Sequence, residues 1–321
     1  MGKNTRSISC HHLTKIYEKR KKKALDSVTF SVPSRGIFVL IGRNGSGKTT
    51  LVRILATELE PTSGSATING IDVVNAPIRL REKIAIVPQE ARTVPWMTPM
   101  QIVTSYLLWR GFGYSDAKQK ARDTLERLGL SDEADTLSRR LSGGLRRKVL
   151  VATVLASEAE IIFLDEPTTG LDPISRKEFW DFIKEVARDR FTFLTTHYLE
   201  EAEELADRIG MLDRGKLIRI GTLDQLRQSM NYSYSMKIIG PKLPTIKLKK
   251  GEVIAGKDSY RILTVEDEAF RISRELAKGG YKFAINPVSL EDIFFYMVSQ
   301  KGGKPIEDQS TEEEQSGEEE E

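Results

Sequence analysis

Cysteine is almost absent: one residue, Cys10, in a chain of 321. That excludes an intramolecular disulfide and suits a reducing compartment. Long apolar runs are also missing. None approaches the roughly 18 residues of a spanning helix, so the chain is not expected to form a membrane path by itself. Residues 1–15 hold no apolar core of a secretory signal, and Arg6 stands where a myristoylation pattern needs Ser or Thr. Histidine is scarce. Two of the three lie in Cys10-His11-His12, which lacks a second ligand cluster to complete a metal site. A dominant charge is lacking as well: 49 Lys+Arg against 46 Asp+Glu leaves +3, which excludes a uniformly basic nucleic-acid coat.

That near-balance conceals a split. Lys301 and Lys304 face nine acidic residues in 301–321, so this tail carries −7 and residues 1–300 carry +10. The tail reads as disordered. The composition of the whole, 39% apolar and 30% charged, is that of an ordinary globular protein, and the length suits about two domains.

The apolar pattern supplies an architecture. Residues 36–41, 83–87, 161–164 and 191–194 are short, nearly continuous apolar runs, as strands buried on both faces require. Residues 65–70 read as a hairpin. Between the last two runs, Phe179, Phe182, Ile183 and Val186 recur at helical spacing. Strand, helix and strand in this order predict a parallel α/β sheet, into which a helical segment at about 91–156 is inserted. After about residue 222 the pattern becomes that of a small α+β unit ending near residue 300. Its helices are expected to open on capping boxes at Thr264-x-x-Asp267 and Ser289-x-x-Asp292, with Gly279-Gly280 closing the first.

Two motifs carry chemistry. Gly42-Arg43-Asn44-Gly45-Ser46-Gly47-Lys48-Thr49, followed by Thr50, matches G-x-x-x-x-G-K-[ST] between a strand and a helix. Glycines let backbone N–H groups turn toward phosphates, and the helix that follows points its positive end at them. Lys48 is placed to reach β- and γ-phosphates, and the Thr49 hydroxyl to hold Mg²⁺. The second motif, Asp165-Glu166, ends a buried strand, where ligands of open α/β sheets bind. Asp165 suits a partner for Mg²⁺ and Glu166 a general base for water.

The order GRNGSGKTT, VPQE, LSGGLRRK, IIFLDEP, GLDP and TTH over residues 7–222 resembles the ATP-binding cassette (ABC) family. The resemblance implies a P-loop NTPase fold: a RecA-like core, an antiparallel β subdomain and a helical subdomain, here with the α+β domain at 223–300 appended. It implies ATP and Mg²⁺, and a head-to-tail dimer that sandwiches two ATPs. Each ATP then lies between one subunit's phosphate loop and the other's Ser142, Gly143 and Gly144. One chain has one copy of each motif, so a second copy or a paralogue is implied. By the same resemblance Tyr17 stacks on adenine, and Gln89 touches Mg²⁺ and signals to a membrane partner. Asp172 lies in the loop that crosses the dimer interface, and His197 senses the γ-phosphate. The pattern departs from the family at Leu145 and at Arg147, where Gln is frequent.

The segment ending NPVSLEDIFFYMV resembles the extension of cassette subunits in drug, antibiotic, lipid or polysaccharide exporters. Such subunits work with a separate permease, on the inner face of the membrane, and touch the membrane indirectly. No nucleic acid is expected. An importer subunit and a soluble cassette ATPase are the alternatives. Against the soluble type stand the single cassette, the C-terminal extension and the short insertion: Gln89 and Ser142 lie 53 positions apart. The basic run from Lys19 to Lys23 reads either as a solvated hairpin loop or as a contact for nucleotide or anionic headgroups.

Overall fold

Short, nearly continuous apolar runs, buried on both faces, make the central strands of this protein. The computed structural model describes residues 6–18, 22–239, 248–255 and 259–300. Lys19, Arg20 and Lys21 of the basic run and the acidic stretch 301–321 lie outside the described residues. The chain divides into two compact units, Met1–Ile220 and Gly221–Glu321.

In the first unit, β1 (Ser7–Tyr17) and β2 (Lys22–Pro33) precede β3 (Ile37–Ile41), α1 (Lys48–Leu55), β4 (Ser63–Ile68) and β5 (Ile71–Asp72). Next come α2 (Pro77–Arg81), β6 (Ile84–Val87), α3 (Pro99–Trp109), α4 (Tyr114–Arg127) and α5 (Gly143–Ala156). Then follow β7 (Ile161–Asp165), α6 (Pro173–Ala187), β8 (Phe191–Thr196), α7 (Leu199–Leu205), β9 (Arg208–Asp213) and β10 (Lys216–Gly221). An antiparallel sheet has the order β2-β1-β4-β5, and a six-stranded sheet the order β10-β9-β3-β8-β7-β6. Neighbours from β9 to β6 in the latter run parallel. All residues of β3, β7 and β8 are buried, which is why their runs do not alternate.

The two sheets share one core. Phe30 of β2 stacks on Phe38 of β3, with centroids 6.2 Å apart, and Phe38 meets Phe193, which meets Phe163. Each such ring contributes about 1.5–3 kcal/mol by leaving water. The hairpin of β4 and β5 turns at Asn69-Gly70, both at positive φ (50° and 77°), as a tight two-residue turn demands. In the helical segment, Thr98 and Gln101 form a reciprocal cap on α3. Ala117, Ala121 and Leu125 form the buried stripe of α4. α1 ends at Leu55, and Thr57 takes a φ of 61° just beyond it.

The second unit contains α8 (Leu223–Gln228), β11 (Tyr234–Ile239), β12 (Gly251–Ala255), β13 (Ser259–Thr264), α9 (Glu266–Lys278), β14 (Lys282–Pro287) and α10 (Leu290–Gln300). The sheet order is β12-β13-β11-β14, antiparallel throughout. Met236, Ile238 and Ile262 pack with Ala269, Ile272 and Leu276 of α9. Ser235, one register position away on the opposite face, donates to Asp292 of α10 at 2.9 Å. The Ser289–Asp292 box forms: the Asp292 amide donates to Ser289 Oγ, and Asp292 accepts from the Ser289 amide. The box expected at Thr264 does not form. Thr264 is held in β13 between β11 and β12, and its hydroxyl donates to the Lys250 carbonyl, so Val265 opens α9 without a side-chain cap.

Candidate nucleotide site

The parallel order places β3, β8, β7 and β6 side by side, so the segments leaving their carboxyl ends lie next to one another. From β3 comes the loop 42–49. A Cβ on Gly42 would lie 2.3 Å from the Leu212 carbonyl oxygen, and one on Gly47, at φ 110°, 2.3 Å from that of Ala24. Only glycine fits at either position. Gly45 turns at φ 76° with open space beside it. Ser46 Oγ is buried with no hydrogen-bond partner, an unusual state for a hydroxyl unless a ligand supplies the missing contact. Arg43 accepts the Ser46 amide at 3.0 Å, and Asn44 lies in the same turn.

Lys48 opens α1 and folds back. Its Nζ donates to the Gly42 carbonyl at 2.7 Å and lies 3.1 Å from Glu166 Oε1, both side chains being more than nine-tenths buried. Glu166 follows β7 at the strained φ of 47°, and its amide donates to Thr195 of β8. Its second oxygen, Oε2, meets His197 Nδ1 at 3.1 Å, Gln89 Nε2 at 3.3 Å and Thr169 Oγ1 at 3.2 Å. Burial pushes the Glu166 carboxyl up, but the His197 hydrogen bond and the Lys48 charge outweigh it and hold the group at about 2. Glu166 is therefore a charged hub joining Lys48, Gln89 and His197.

Asp165 is buried one residue earlier. Burial raises its pKa, partly opposed by hydrogen bonds from Thr195 and Thr49. A hydroxyl touching a carboxylate beside the loop is the hard-oxygen donor pair that suits Mg²⁺, an ion usually completed by water and substrate phosphates. Among the described residues no group of three His, Cys, Asp or Glu stands ready to hold a metal by itself. Thr49 and Asp165 thus fit Mg²⁺ as partial ligands, while Gln89 reaches toward Glu166. Tyr17 is 38% exposed at the end of β1, and its hydroxyl is 3.4 Å from Thr50 Oγ1.

A second group lies elsewhere. Ser142 caps α5, accepting from the Leu145 amide at 3.2 Å, and Gly143 and Gly144 form the first helical positions. Asp172 caps α6, accepting from the Ile174 and Ser175 amides, and the Ser175 hydroxyl leads the contacts that lower its pKa. Gly144 faces Ser175, so these two helix starts are neighbours. Among the described residues no hydrogen bond or ion pair joins Ser142, Gly143, Gly144 or Asp172 to residues 42–50.

Sequence reasoning missed several participants. Thr195 serves Asp165 and Glu166 together, and Thr169 donates to Glu166. Glu201, fully buried, accepts from Thr168 Oγ1 at 2.8 Å and from Trp180 Nε1 at 3.2 Å behind the site. Thr195 was open to suspicion from its place two residues before His197. Glu201 was not, because it lies in the acidic run of α7, which reads as solvated.

Residues 25–169 match the family model described as ABC transporter. The chain is similar to the daunorubicin/doxorubicin resistance ATP-binding protein DrrA of Streptomyces peucetius, at 30% identity over 334 residues and 96% of each chain. It is 38% identical to the doxorubicin resistance ATP-binding protein DrrA of Mycobacterium tuberculosis over 229 residues, 71% of this chain and 69% of that one. In three dimensions it is similar to a dimeric bacterial ABC transporter cassette, with a TM-score of 0.60 at 25% identity over 67% of this chain and 98% of the other. No helix among the described residues is long and apolar enough to cross a membrane.

Proposed function

The chain belongs to the ABC transporter family of ATP-binding subunits, and from that premise we propose that it closes head-to-tail with a second copy or paralogue around two ATPs to drive export through a separate permease. The observation that carries this reading is the Glu166 hub, which gathers a phosphate-loop lysine, a strand-end histidine and Gln89 onto one ionised carboxylate. Among the described residues no hydrogen bond or ion pair ties Ser142, Gly143, Gly144 or Asp172 to residues 42–50, which suits service to the partner's ATP.

A general base works best with a pKa near the operating pH. Glu166, held at about 2, is a poor one. ATP phosphates compete for the Lys48 ammonium and weaken one of the contacts that depress Glu166, so its basicity rises to that extent while the His197 hydrogen bond stays. His197 Nδ1 keeps the carboxylate aimed, which leaves Nε2 for charge developing on the phosphoryl group. Glycines 42, 45 and 47 admit phosphates to the backbone amides, Ser46 gains a partner, and Tyr17 offers a ring to adenine. Bound Mg²⁺, held in part by Thr49, Asp165 and Gln89, supplies charge neutralisation at the phosphates.

The direction and the partner are drawn from relatives whose names carry drug resistance. On this reading the chain sits at the inner face of the cell membrane through its permease. An affinity-tagged full-length chain, purified from detergent-solubilised membranes of its own cells, is expected to recover an integral membrane protein in comparable amount. Recovery of ribosomes or nucleic acid instead overturns the reading.

A further inference from the structure

Arg147, set apart in the sequence as a departure from the family pattern, makes contacts that the mechanism above does not use. It projects from α5, five residues after the Ser142 cap. Its Nη2 donates to the carbonyl of Gln89 at 3.0 Å and its Nη1 to that of Ala91 at 3.4 Å. Arg92 donates to the same two carbonyls, at 3.4 Å and 3.0 Å. Two guanidinium groups thus converge on one turn of backbone. Burial and the Arg92 charge both work against the charge on Arg147. Such an arrangement gains nothing from like charges; what it gains is a fixed backbone. The fixed residue matters, because the Gln89 side chain donates to Glu166 Oε2. Two contacts, joined through Gln89 itself, therefore run from the LSGG helix to the hydrolytic carboxylate: Arg147 to the Gln89 backbone, and the Gln89 side chain to Glu166. A glutamine at position 147 has one planar amide and a shorter reach, whereas the guanidinium fork spans both carbonyls.

We propose that Arg147 is a positioning residue that ties the LSGG helix to Gln89, so that capture of the partner's ATP by Ser142–Gly144 sets the aim of this subunit's own Glu166. This rests on the dimeric ATPase reading. Each subunit's LSGG segment serves one ATP and its Glu166 the other, so the Arg147 contact joins the two sites.

The test uses the full-length protein with Arg147→Ala, Arg147→Lys and Arg147→Gln, alone and with Gln89→Ala. Steady-state ATP hydrolysis is read as kcat, KM and Hill coefficient, and ATP affinity is measured separately. Arg147→Ala is expected to lower kcat by about tenfold, a plausible loss for a residue on a coupling path, with ATP affinity within about twofold. Its Hill coefficient falls toward 1, Arg147→Lys recovers part of kcat, and adding Arg147→Ala to Gln89→Ala costs nothing further. Should the alanine variant fail to fold, the lysine and glutamine variants carry the same comparison. A kcat within about twofold of wild type, or losses at Arg147 and Gln89 that simply multiply, overturns the proposal. Glu166→Gln separates this from failure of the site reading. An active Glu166→Gln refutes the site, whereas an inactive one beside an unaffected Arg147→Ala refutes only the clamp.

Discussion

Replacing Lys48 with alanine removes one partner of a buried pair, and the structure indicates what that costs in the absence of nucleotide. At 3.1 Å, two unit charges attract by about 5 kcal/mol at an effective dielectric of about 20. Removing one partner of such a pair costs about 3–5 kcal/mol, because the other charge stays buried. Glu166 would retain His197, Gln89 and Thr169, so the lower end, about 3 kcal/mol, is expected. For a unit of this size that lowers the melting midpoint by about 6–12 °C. In a Glu166→Gln background the carboxylate is gone, and Lys48→Ala should cost only about 1 kcal/mol, the worth of its bond to the Gly42 carbonyl. The coupling in the four-protein cycle is then about 2 kcal/mol. The assay is thermal unfolding of the nucleotide-free proteins at pH 7. The pH dependence follows the same contact. With a folded pKa of about 2 against 4.5, Glu166 contributes its full stabilisation above the unfolded value. That contribution is lost as pH falls through the folded one. Lys48→Ala raises the folded pKa toward the unfolded one, so the stability lost on acidification is smaller and the loss is complete at a higher pH. Costs that add to within about 0.5 kcal/mol would show that Lys48 and Glu166 are not paired at rest.

Two further outcomes test the local geometry. Gly47→Ala meets the Ala24 carbonyl at positive φ, whereas Gly45→Ala meets nothing, so Gly47→Ala should lower the nucleotide-free midpoint clearly more than Gly45→Ala; equal shifts contradict the packing at Gly47. Asp292→Ala removes the acceptor shared by Ser235, Arg261 and Ser289. Hydrogen exchange in β11 and α10 is expected to rise at least about fivefold, as loss of a buried polar hub costs more than about 1 kcal/mol, and unchanged protection would contradict that role.

What could be read in advance was mostly local. The runs that became β3, β7 and β8 are legible because both faces are apolar, and Asn69-Gly70 because few residues accept that turn. The Ser289 box was visible and formed; the Thr264 box had the same letters and did not, since pairing on both sides holds Thr264 in the sheet. Strand order is not written in periodicity. The meeting of Gln89, Glu166, His197 and Lys48 follows from β6, β7, β8 and β3 being neighbours, a long-range fact that only the resemblance anticipated. Glu201 and the contacts of Arg147 were hidden for a related reason. A polar residue on a helix reads as solvated until the surface it faces is known.

The central claim is that Glu166 is the base of an ATPase that works as a closed dimer. Its most direct test combines ATP turnover with light scattering on a sizing column for Glu166→Gln. Hydrolysis is expected to fall by at least about a hundredfold, the usual weight of a general base, while ATP still binds and holds the variant as a stable dimer. Hydrolysis at the wild-type rate, or a variant that remains monomeric with saturating ATP, would contradict the account.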